Sequence, residues 1–271
     1  MAKVLVVTSG KGGVGKTTST AALGAALAQT GDSVVVVDFD VGLRNLDLVL
    51  GAERRVVYDL INVVQGDARL PQALIRDKRL DNMYLLPASQ TRDKDALTAE
   101  GVTRVVAELK QRFDWVICDS PAGIERGATL AMRHADAAVV VTNPEVSSVR
   151  DSDRIIGLLD SKTERAERGE IMEKHLLLTR YDAARAGRGE MLKTEDVLEI
   201  LSIPLLGIIP ESAEVLRASN LGTPVTLASP ASPPARAYTD AARRLRGEQV
   251  DMVVPSERRG FFQGLFGRRV A

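Results

Sequence analysis

The fold of this chain is decided near its amino terminus, by the stretch Gly10-Lys11-Gly12-Gly13-Val14-Gly15-Lys16-Thr17-Thr18. An apolar run at residues 4–7 precedes it, and an alanine-rich run with helical spacing at residues 18–28 follows it. Strand, glycine loop and helix is the context that a phosphate-binding loop of the form Gly-x-x-x-x-Gly-Lys-Thr requires. Glycines let backbone N–H groups approach an anion, and the helix adds the positive end of its dipole. We therefore predict a nucleoside triphosphate site, with Lys16 reaching the β- and γ-phosphates and the Thr17 hydroxyl binding Mg²⁺.

Composition limits the classes of protein that remain. The 271 residues suffice for one large α/β domain or two small ones, and 45% of them are hydrophobic, which supports a substantial core. A formal net charge of zero argues against a globally basic nucleic-acid binder. The single cysteine, Cys118, excludes an internal disulfide and a metal site built mainly on thiolates. Because no signal peptide pattern and no apolar run near ~20 residues is found, we expect a cytoplasmic protein without a membrane-spanning helix.

Apolar runs alternate with helical patterns along most of the chain. The runs are continuous, as in parallel strands that helices cover on both faces. Strands are predicted at residues 4–8, 33–38, 83–86, 115–119, 137–142, 175–179 and 205–209, and helices at residues 17–29, 98–112, 148–162, 193–201 and 235–246. The order predicts an α/β domain at residues 1–246, with a doubly wound, mainly parallel sheet and helices on both faces.

Carboxylates stand where two of these strands end. Asp38 ends the second strand and Asp40 follows it, whereas Asp119 ends the strand at residues 115–119. Such side chains point into the crevice at the carboxyl edge of a parallel sheet, where ligands bind. An apolar strand that ends in aspartate is typical of a Walker B strand, whose carboxylate reaches Mg²⁺ through water. The alternative for Asp38 and Asp40 is that each caps the turn after the strand.

A second lysine, Lys11, follows the first glycine of the loop directly. The pattern Lys-Gly-Gly-x-Gly-Lys-Thr-Thr resembles the deviant Walker A loop of the ParA/MinD family of ATPases. Four further stretches resemble the septum-site-determining branch of that family, at residues 38–47, 53–59, 87–95 and 142–154. The resemblance implies a P-loop ATPase fold, Mg²⁺ with ATP as cofactor, and an ATP-dependent homodimer in which Lys11 reaches phosphates held by the partner subunit.

The resemblance also assigns roles to residues outside the loop. Asp40 would orient the attacking water and act in catalysis with Lys11 and Lys16. Asp38 would join the Mg²⁺ shell, with Thr17 and Asp119, or would hold the hydrogen bonds of its loop. The adenine base would be contacted from two late loops, through Arg180, Pro210 and Glu211. Read without the resemblance, Arg180 is a solvated residue at a strand end and Pro210 a turn residue.

The composition changes after residue 246. Residues 247–257 are polar, contain Pro255 and predict a flexible linker, and residues 258–271 form a tail. On a helix, four large apolar side chains of the tail fall within about 140°, and arginines bracket them. These residues are Phe261, Phe262, Leu265 and Phe266, with Arg258 and Arg259 before them. The pattern predicts a C-terminal amphipathic membrane-targeting helix in the headgroup layer, the alternative being a tail that packs back onto the domain. Two weak tails on one dimer would bind far more tightly than one, so dimerisation by ATP would switch membrane binding.

The septum-site branch implies a function and partners. It implies a slow ATPase, stimulated by partners, that positions the cell-division site. Its ATP-bound dimer binds anionic phospholipids of the inner membrane, recruits the division inhibitor MinC, and is released when MinE stimulates hydrolysis. Asp151 and Asp153, at a predicted helix start, match positions used for partner docking, or are first-turn acids favoured by the helix dipole. No specific nucleic-acid binding is expected.

Three other classes of protein fit the sequence less well. A ParA-type partition ATPase would bind DNA and would need a basic face, which the neutral charge and the apolar tail disfavour. An iron–sulfur reductase component needs two cysteines from each chain, and this chain has one. A nucleotide-dependent scaffold without hydrolysis is disfavoured by Asp40 and Lys11.

Overall fold

The computed structural model describes residues 2–90 and 94–255. The strands of these residues form one sheet in the order β3-β4-β2-β5-β1-β6-β7-β8. The strands are β1 Lys3–Thr8, β2 Val34–Asp38, β3 Ile75–Arg76, β4 Met83–Leu86, β5 Trp115–Asp119, β6 Ala137–Thr142, β7 Glu173–Tyr181 and β8 Leu205–Pro210. All neighbouring pairs are parallel except β3 with β4. The predicted doubly wound, mainly parallel sheet is therefore confirmed.

Helices connect the strands and cover both faces of the sheet. They are α1 Lys16–Gln29, α2 Leu46–Val49, α3 Leu60–Gln65, α4 Leu70–Ala73, α5 Ala99–Lys110, α6 Arg126–Met132, α7 Val146–Leu159, α8 Glu164–Glu167, α9 Ala183–Gly187, α10 Thr194–Leu201, α11 Ala213–Asn220, α12 Val225–Ala228 and α13 Pro233–Leu245. Five of them were predicted within three residues at each end. The other eight, which have four to eight residues, were not, because one or two turns carry little periodicity.

Two hydrophobic cores lie on the two faces of the sheet. Along β1, Val4 and Val6 belong to one core, whereas Leu5 and Val7 belong to the other. Successive side chains of a strand point to opposite faces, so burial of both faces makes the whole run apolar. This is the physical reason for the continuous runs that the sequence shows.

One interpretation of the sequence is wrong. Helix α7 begins at Val146, two residues before the predicted start, and its first turn holds no acidic residue. Asp151 and Asp153 therefore lie in the middle of the helix, too far from its N-terminus to be first-turn acids stabilised by the helix dipole, whose effect is confined to the end turns.

Candidate functional site

The phosphate loop joins the carboxyl end of β1 to the start of α1. Gly13 and Gly15 have φ angles of 77° and 94°, a conformation that residues with a Cβ rarely adopt. Gly15 is the N-cap residue of α1, and no side-chain hydrogen bond caps this helix. The N–H groups of the first turn therefore have no side-chain acceptor at the N-cap, which suits the binding of an anion there.

Lys16 lies beside the carboxylate that ends β5. Only 8% of Lys16 is exposed. The carboxylate of Asp119 accepts hydrogen bonds from the Thr17 side chain and from Thr20 Oγ1, the latter at 3.0 Å. Burial raises the pKa of Asp119 to about 6, although the charge of Lys16 and the two hydroxyls favour the ionised form. Sequence reasoning missed Thr20, whose spacing of three residues from Thr17 puts both hydroxyls on one face of α1.

Asp38 is fully buried and holds the loop that follows β2. Its Oδ1 accepts the backbone N–H of Asp40 at 2.8 Å, and its Oδ2 accepts that of Leu46, the first residue of α2, at 3.2 Å. Burial, and then the charge of Asp119, raise the pKa of Asp38 well above its usual value. Of the two roles that the resemblance allows, these contacts favour the hydrogen bonds of the loop.

The carboxylates of the site lie at the ends of neighbouring strands and act on one another electrostatically. Asp38 and Asp119 are register partners on β2 and β5. The charge of Asp40 acts on both of them and raises their pKa values. Lys16 is the cation that acts on Asp119. Oxygen ligands and unbalanced negative charge suit a hard divalent cation such as Mg²⁺, which usually keeps several water or phosphate ligands. The residues present therefore fit Mg²⁺ that arrives with a nucleotide.

Lys11 reaches towards the start of helix α7. Its Nζ lies 3.1 Å from Glu145 Oε2 and 3.1 Å from Ser147 Oγ. The pair is open to solvent, with 41% of the Lys11 side chain and 51% of the Glu145 side chain exposed. The two lysines of the loop thus occupy different environments, one buried beside a carboxylate and one exposed.

A cavity of about 240 Å³ lies beside the phosphate loop. Its walls include Gly13, Arg180, Pro210 and Glu211, so the structure brings the predicted base-contacting residues to the loop. Three further residues of the predicted phosphate loop, Val14, Gly15 and Thr18, also line it. Sequence reasoning missed the rest of its walls, which are formed by Val49, Thr179, Ile209, Ser212, Val215, Leu216, Ser219 and Tyr238. The size and the largely apolar lining suit the base of a nucleotide.

The end of β7 is tied directly to the phosphate loop. Thr179 Oγ1 donates to the Val14 carbonyl at 2.7 Å, and Arg180 Nη1 donates to the Gly13 carbonyl at 3.4 Å. Arg180 has a φ angle of 54°, and its Nε lies 3.4 Å from Glu211 Oε2. A non-glycine residue in this left-handed conformation is uncommon, and strained conformations of this kind are enriched at functional sites.

Helix α7 packs its backbone against the first glycine of the loop. A Cβ built on Gly10 would lie 2.2 Å from the carbonyl carbon and oxygen of Asp151. Asp153 is exposed on the same helix, and Asp151 is half-buried with Arg154 3.7 Å away. The helix that carries the predicted docking residues is therefore in direct contact with the nucleotide loop.

The predicted membrane-targeting residues, from Arg258 to Phe266, lie outside the described residues. In the part of the chain that the structure describes, no helix is long and apolar enough to cross a membrane.

Comparison with known proteins decides the family. A model of the CobQ/CobB/MinD/ParA nucleotide binding domain matches residues 5–225. The chain belongs to this family. The match contains the phosphate loop, the carboxylates and all but one of the residues that line the cavity, so the site described above lies in the CobQ/CobB/MinD/ParA domain. The resemblance read from the sequence is confirmed.

Relatives within the family match the chain from end to end. The septum site-determining protein MinD of Escherichia coli K12 is 61% identical over 270 residues, which is 98% of this chain and 100% of that protein. MinD of Neisseria meningitidis serogroup B is 58% identical over 271 residues, again 98% and 100%.

Two solved structures are also similar. A chain of the MinC:MinD cell division protein complex of Aquifex aeolicus has a TM-score of 0.83 and 42% identity, covering 93% of this chain and 99% of that one. Septum site-determining MinD of Pyrococcus horikoshii, complexed with Mg-ADP, has a TM-score of 0.80 and 32% identity, covering 90% and 96%.

Proposed function

We propose that this protein is an ATPase that acts as a membrane-associated switch in division-site selection. Its ATP-bound dimer binds the inner membrane, recruits the division inhibitor MinC, and is released when MinE stimulates hydrolysis of ATP to ADP and phosphate. The observation that carries the proposal is the meeting of the phosphate loop, Lys11, Asp40 and Asp119 at one edge of the sheet. The MinD names of the relatives, and the MinC:MinD and Mg-ADP structures, support it.

The residues divide the work of hydrolysis within one subunit. The backbone N–H groups of the loop and the ammonium of Lys16 bind the phosphates. Thr17 and Asp119 would hold Mg²⁺, which neutralises phosphate charge when it is bound. Asp40 orients a water molecule whose oxygen bonds to the γ-phosphorus as the bond to the β–γ bridging oxygen breaks, leaving ADP and phosphate.

Lys11 acts in the partner subunit under this proposal. Its pair with Glu145 is exposed, and such pairs contribute only ~0.2–1 kcal/mol. Leaving Glu145 to reach a second subunit therefore costs little. Two loop lysines with different environments should also have separable effects when each is replaced.

Replacing each lysine tests this division. Lys16→Ala should abolish ATP binding in calorimetry, because a buried cation beside the phosphates is lost. Lys11→Ala should leave ATP binding largely intact and prevent ATP-dependent dimerisation in sedimentation velocity. Lys78→Ala, at an exposed lysine in the turn before β4, is the matched control and should change neither. Dimerisation of the Lys11→Ala protein like that of wild type would overturn the role in trans.

The C-terminal segment, residues 258–271, is proposed to carry the membrane interaction. The test is co-sedimentation with anionic liposomes, comparing ATP with ADP and the full chain with one that ends at Pro255. We expect pelleting to require both ATP and the segment, because two weak tails must act together. Pelleting that is indifferent to the segment would refute membrane targeting by the tail, and ATP-dependent DNA binding would then be measured.

Helix α7 is proposed to dock the partners through Asp151 and Asp153. Asp153→Asn should weaken binding of MinC or MinE to the ATP-bound dimer, because the exposed carboxylate is removed while the helix is kept. Asp81→Asn, at an exposed aspartate in the turn before β4, is the control. Unchanged binding of both partners by the Asp153→Asn protein would count against docking at this residue.

A further inference from the structure

Two helices far apart in the sequence contribute walls to the cavity beside the phosphate loop. Val49 comes from α2, whereas Val215, Leu216 and Ser219 come from α11. The first residue of α2 is held by Asp38, so α2 is also joined to the carboxylate loop. The spacing of α2 and α11 therefore sets the width of the cavity.

The two helices are followed by glycines that touch. A Cβ on Gly222 would lie 2.6 Å from the Gly51 Cα, and one on Gly51 would lie 2.8 Å from the Gly222 carbonyl oxygen. Both residues have a φ angle of 62°. Only glycine permits this approach in this conformation, so the helices are as close at this point as backbone allows.

One arginine joins the two helix ends beside this contact. Arg79 Nη2 donates to the Leu50 carbonyl at 2.8 Å, immediately after α2. Arg79 Nη1 donates to the Gly222 carbonyl at 2.8 Å and to Thr223 Oγ1 at 2.7 Å, just after α11. Asp77 holds the same guanidinium through Nε at 3.2 Å and Nη2 at 2.8 Å. These five bonds match the five N–H donors of a guanidinium, and a lysine cannot reproduce them.

Arg79 itself lies away from the phosphates. It belongs to the turn before β4, at the amino end of a parallel strand, whereas the cavity lies where the parallel strands end. It lines no part of the cavity. Any effect on a nucleotide must therefore pass through the positions of α2 and α11.

We propose that Arg79 is a positioning residue for the nucleoside half of the site. By fixing the far ends of α2 and α11 it holds Val49 and Ser219 at the separation that a base requires, and it leaves the phosphate half unaffected. This inference deepens the ATP function proposed above and rests on it.

The test separates the nucleoside from the phosphates. The affinities of ATP and of inorganic tripolyphosphate, each with Mg²⁺, are measured by calorimetry for wild type, Arg79→Ala and Arg79→Lys. We expect Arg79→Ala to weaken ATP about tenfold, of the order that loss of bonds to a charged group allows, and tripolyphosphate less than about twofold. Arg79→Lys should lie close to Arg79→Ala, because one ammonium cannot span both carbonyls.

Two further variants keep the outcome decisive. Arg76→Ala removes a neighbouring exposed arginine, 3.3 Å from Asp81, and should leave both affinities unchanged. Gly222→Ala forces the helix ends apart with Arg79 in place, and should weaken ATP selectively even if Arg79→Ala does not fold. Equal losses for ATP and tripolyphosphate, or no loss for ATP, would overturn the role of Arg79. A wild-type protein that binds neither ligand would instead overturn the proposed ATP function.

Discussion

Replacing Gly10 by alanine should displace helix α7 from the phosphate loop. The new Cβ would lie 2.2 Å from the carbonyl carbon and oxygen of Asp151 and 2.6 Å from its Cβ, where ordinary contacts begin at 3.4 Å. Helix or loop must then move by roughly 1 Å. Because the obstacle is helix backbone, no change of rotamer relieves the contact. The movement would also separate Lys11 from Glu145, which directly precedes the helix.

The structure sets the size of the effect. Overpacking of this kind costs ~1–3 kcal/mol, and the lower entropy of an unfolded chain with alanine offsets ~0.4–1 kcal/mol. A net loss of ~1–2 kcal/mol corresponds to a fall in Tm of about 2–8 °C for a domain of this size. ATP affinity should fall at least about tenfold, because the loop amides are no longer aligned on the phosphates.

Thermal unfolding and ATP titration of the Gly10→Ala protein measure both quantities. The control is Gly157→Ala on the same helix, where a Cβ meets no atom within 4 Å and φ is ordinary. This control should raise Tm by about 1–3 °C, because alanine is favoured over glycine in a helix by ~0.5–1 kcal/mol. A Gly10→Ala protein with the Tm and the ATP affinity of wild type would refute the reasoning.

Three further predictions concern buried polar groups. Although partial burial opposes it, hydrogen bonds from Arg79 lower the pKa of Asp77. Asp77→Asn should therefore lower Tm at neutral pH, and this loss of Tm should shrink below about pH 4, where the wild-type carboxylate becomes protonated. A loss of Tm that is the same at every pH would contradict the prediction. Burial, and then the charge of Asp119, raise the pKa of Cys118 to about 12. A thiol-reactive disulfide reagent at pH 8 should therefore modify Cys118 only when the protein unfolds. Rapid reaction of the native protein would contradict this. Thr179→Val leaves the Val14 carbonyl without its 2.7 Å donor and should cost ~1–3 kcal/mol; an unchanged denaturant midpoint would show that the bond is unimportant.

The sequence predicted those residues of the candidate site that belong to a strong local pattern. Lys16 and Asp119 follow from a glycine loop and an apolar strand, and the structure places them together. Arg180 was assigned through the family resemblance, and it lines the cavity. Val49 and Tyr238 line the same cavity and carried no signal, since each looks like an ordinary core residue in the sequence.

Short elements escaped prediction for a related reason. Strand β3 has two residues and helix α2 has four, so each holds only about one period of the hydrophobic pattern, which is too little to show a repeat. Both matter to the site, because α2 supplies a cavity wall and the turn after β3 carries Arg79.

The sequence by itself determined the order of the strands along the chain, the phosphate loop and the family. Each of these features is recorded in side chains that are adjacent or one helical turn apart. The periodicities of strands and helices act on such short spacings, so a local pattern shows them. The tertiary structure alone decided that Gly10 meets Asp151, and that Arg79 reaches Gly222 across 143 residues. Those contacts exist because the sheet brings distant strands and their connecting helices together, and no local pattern of residues records that meeting.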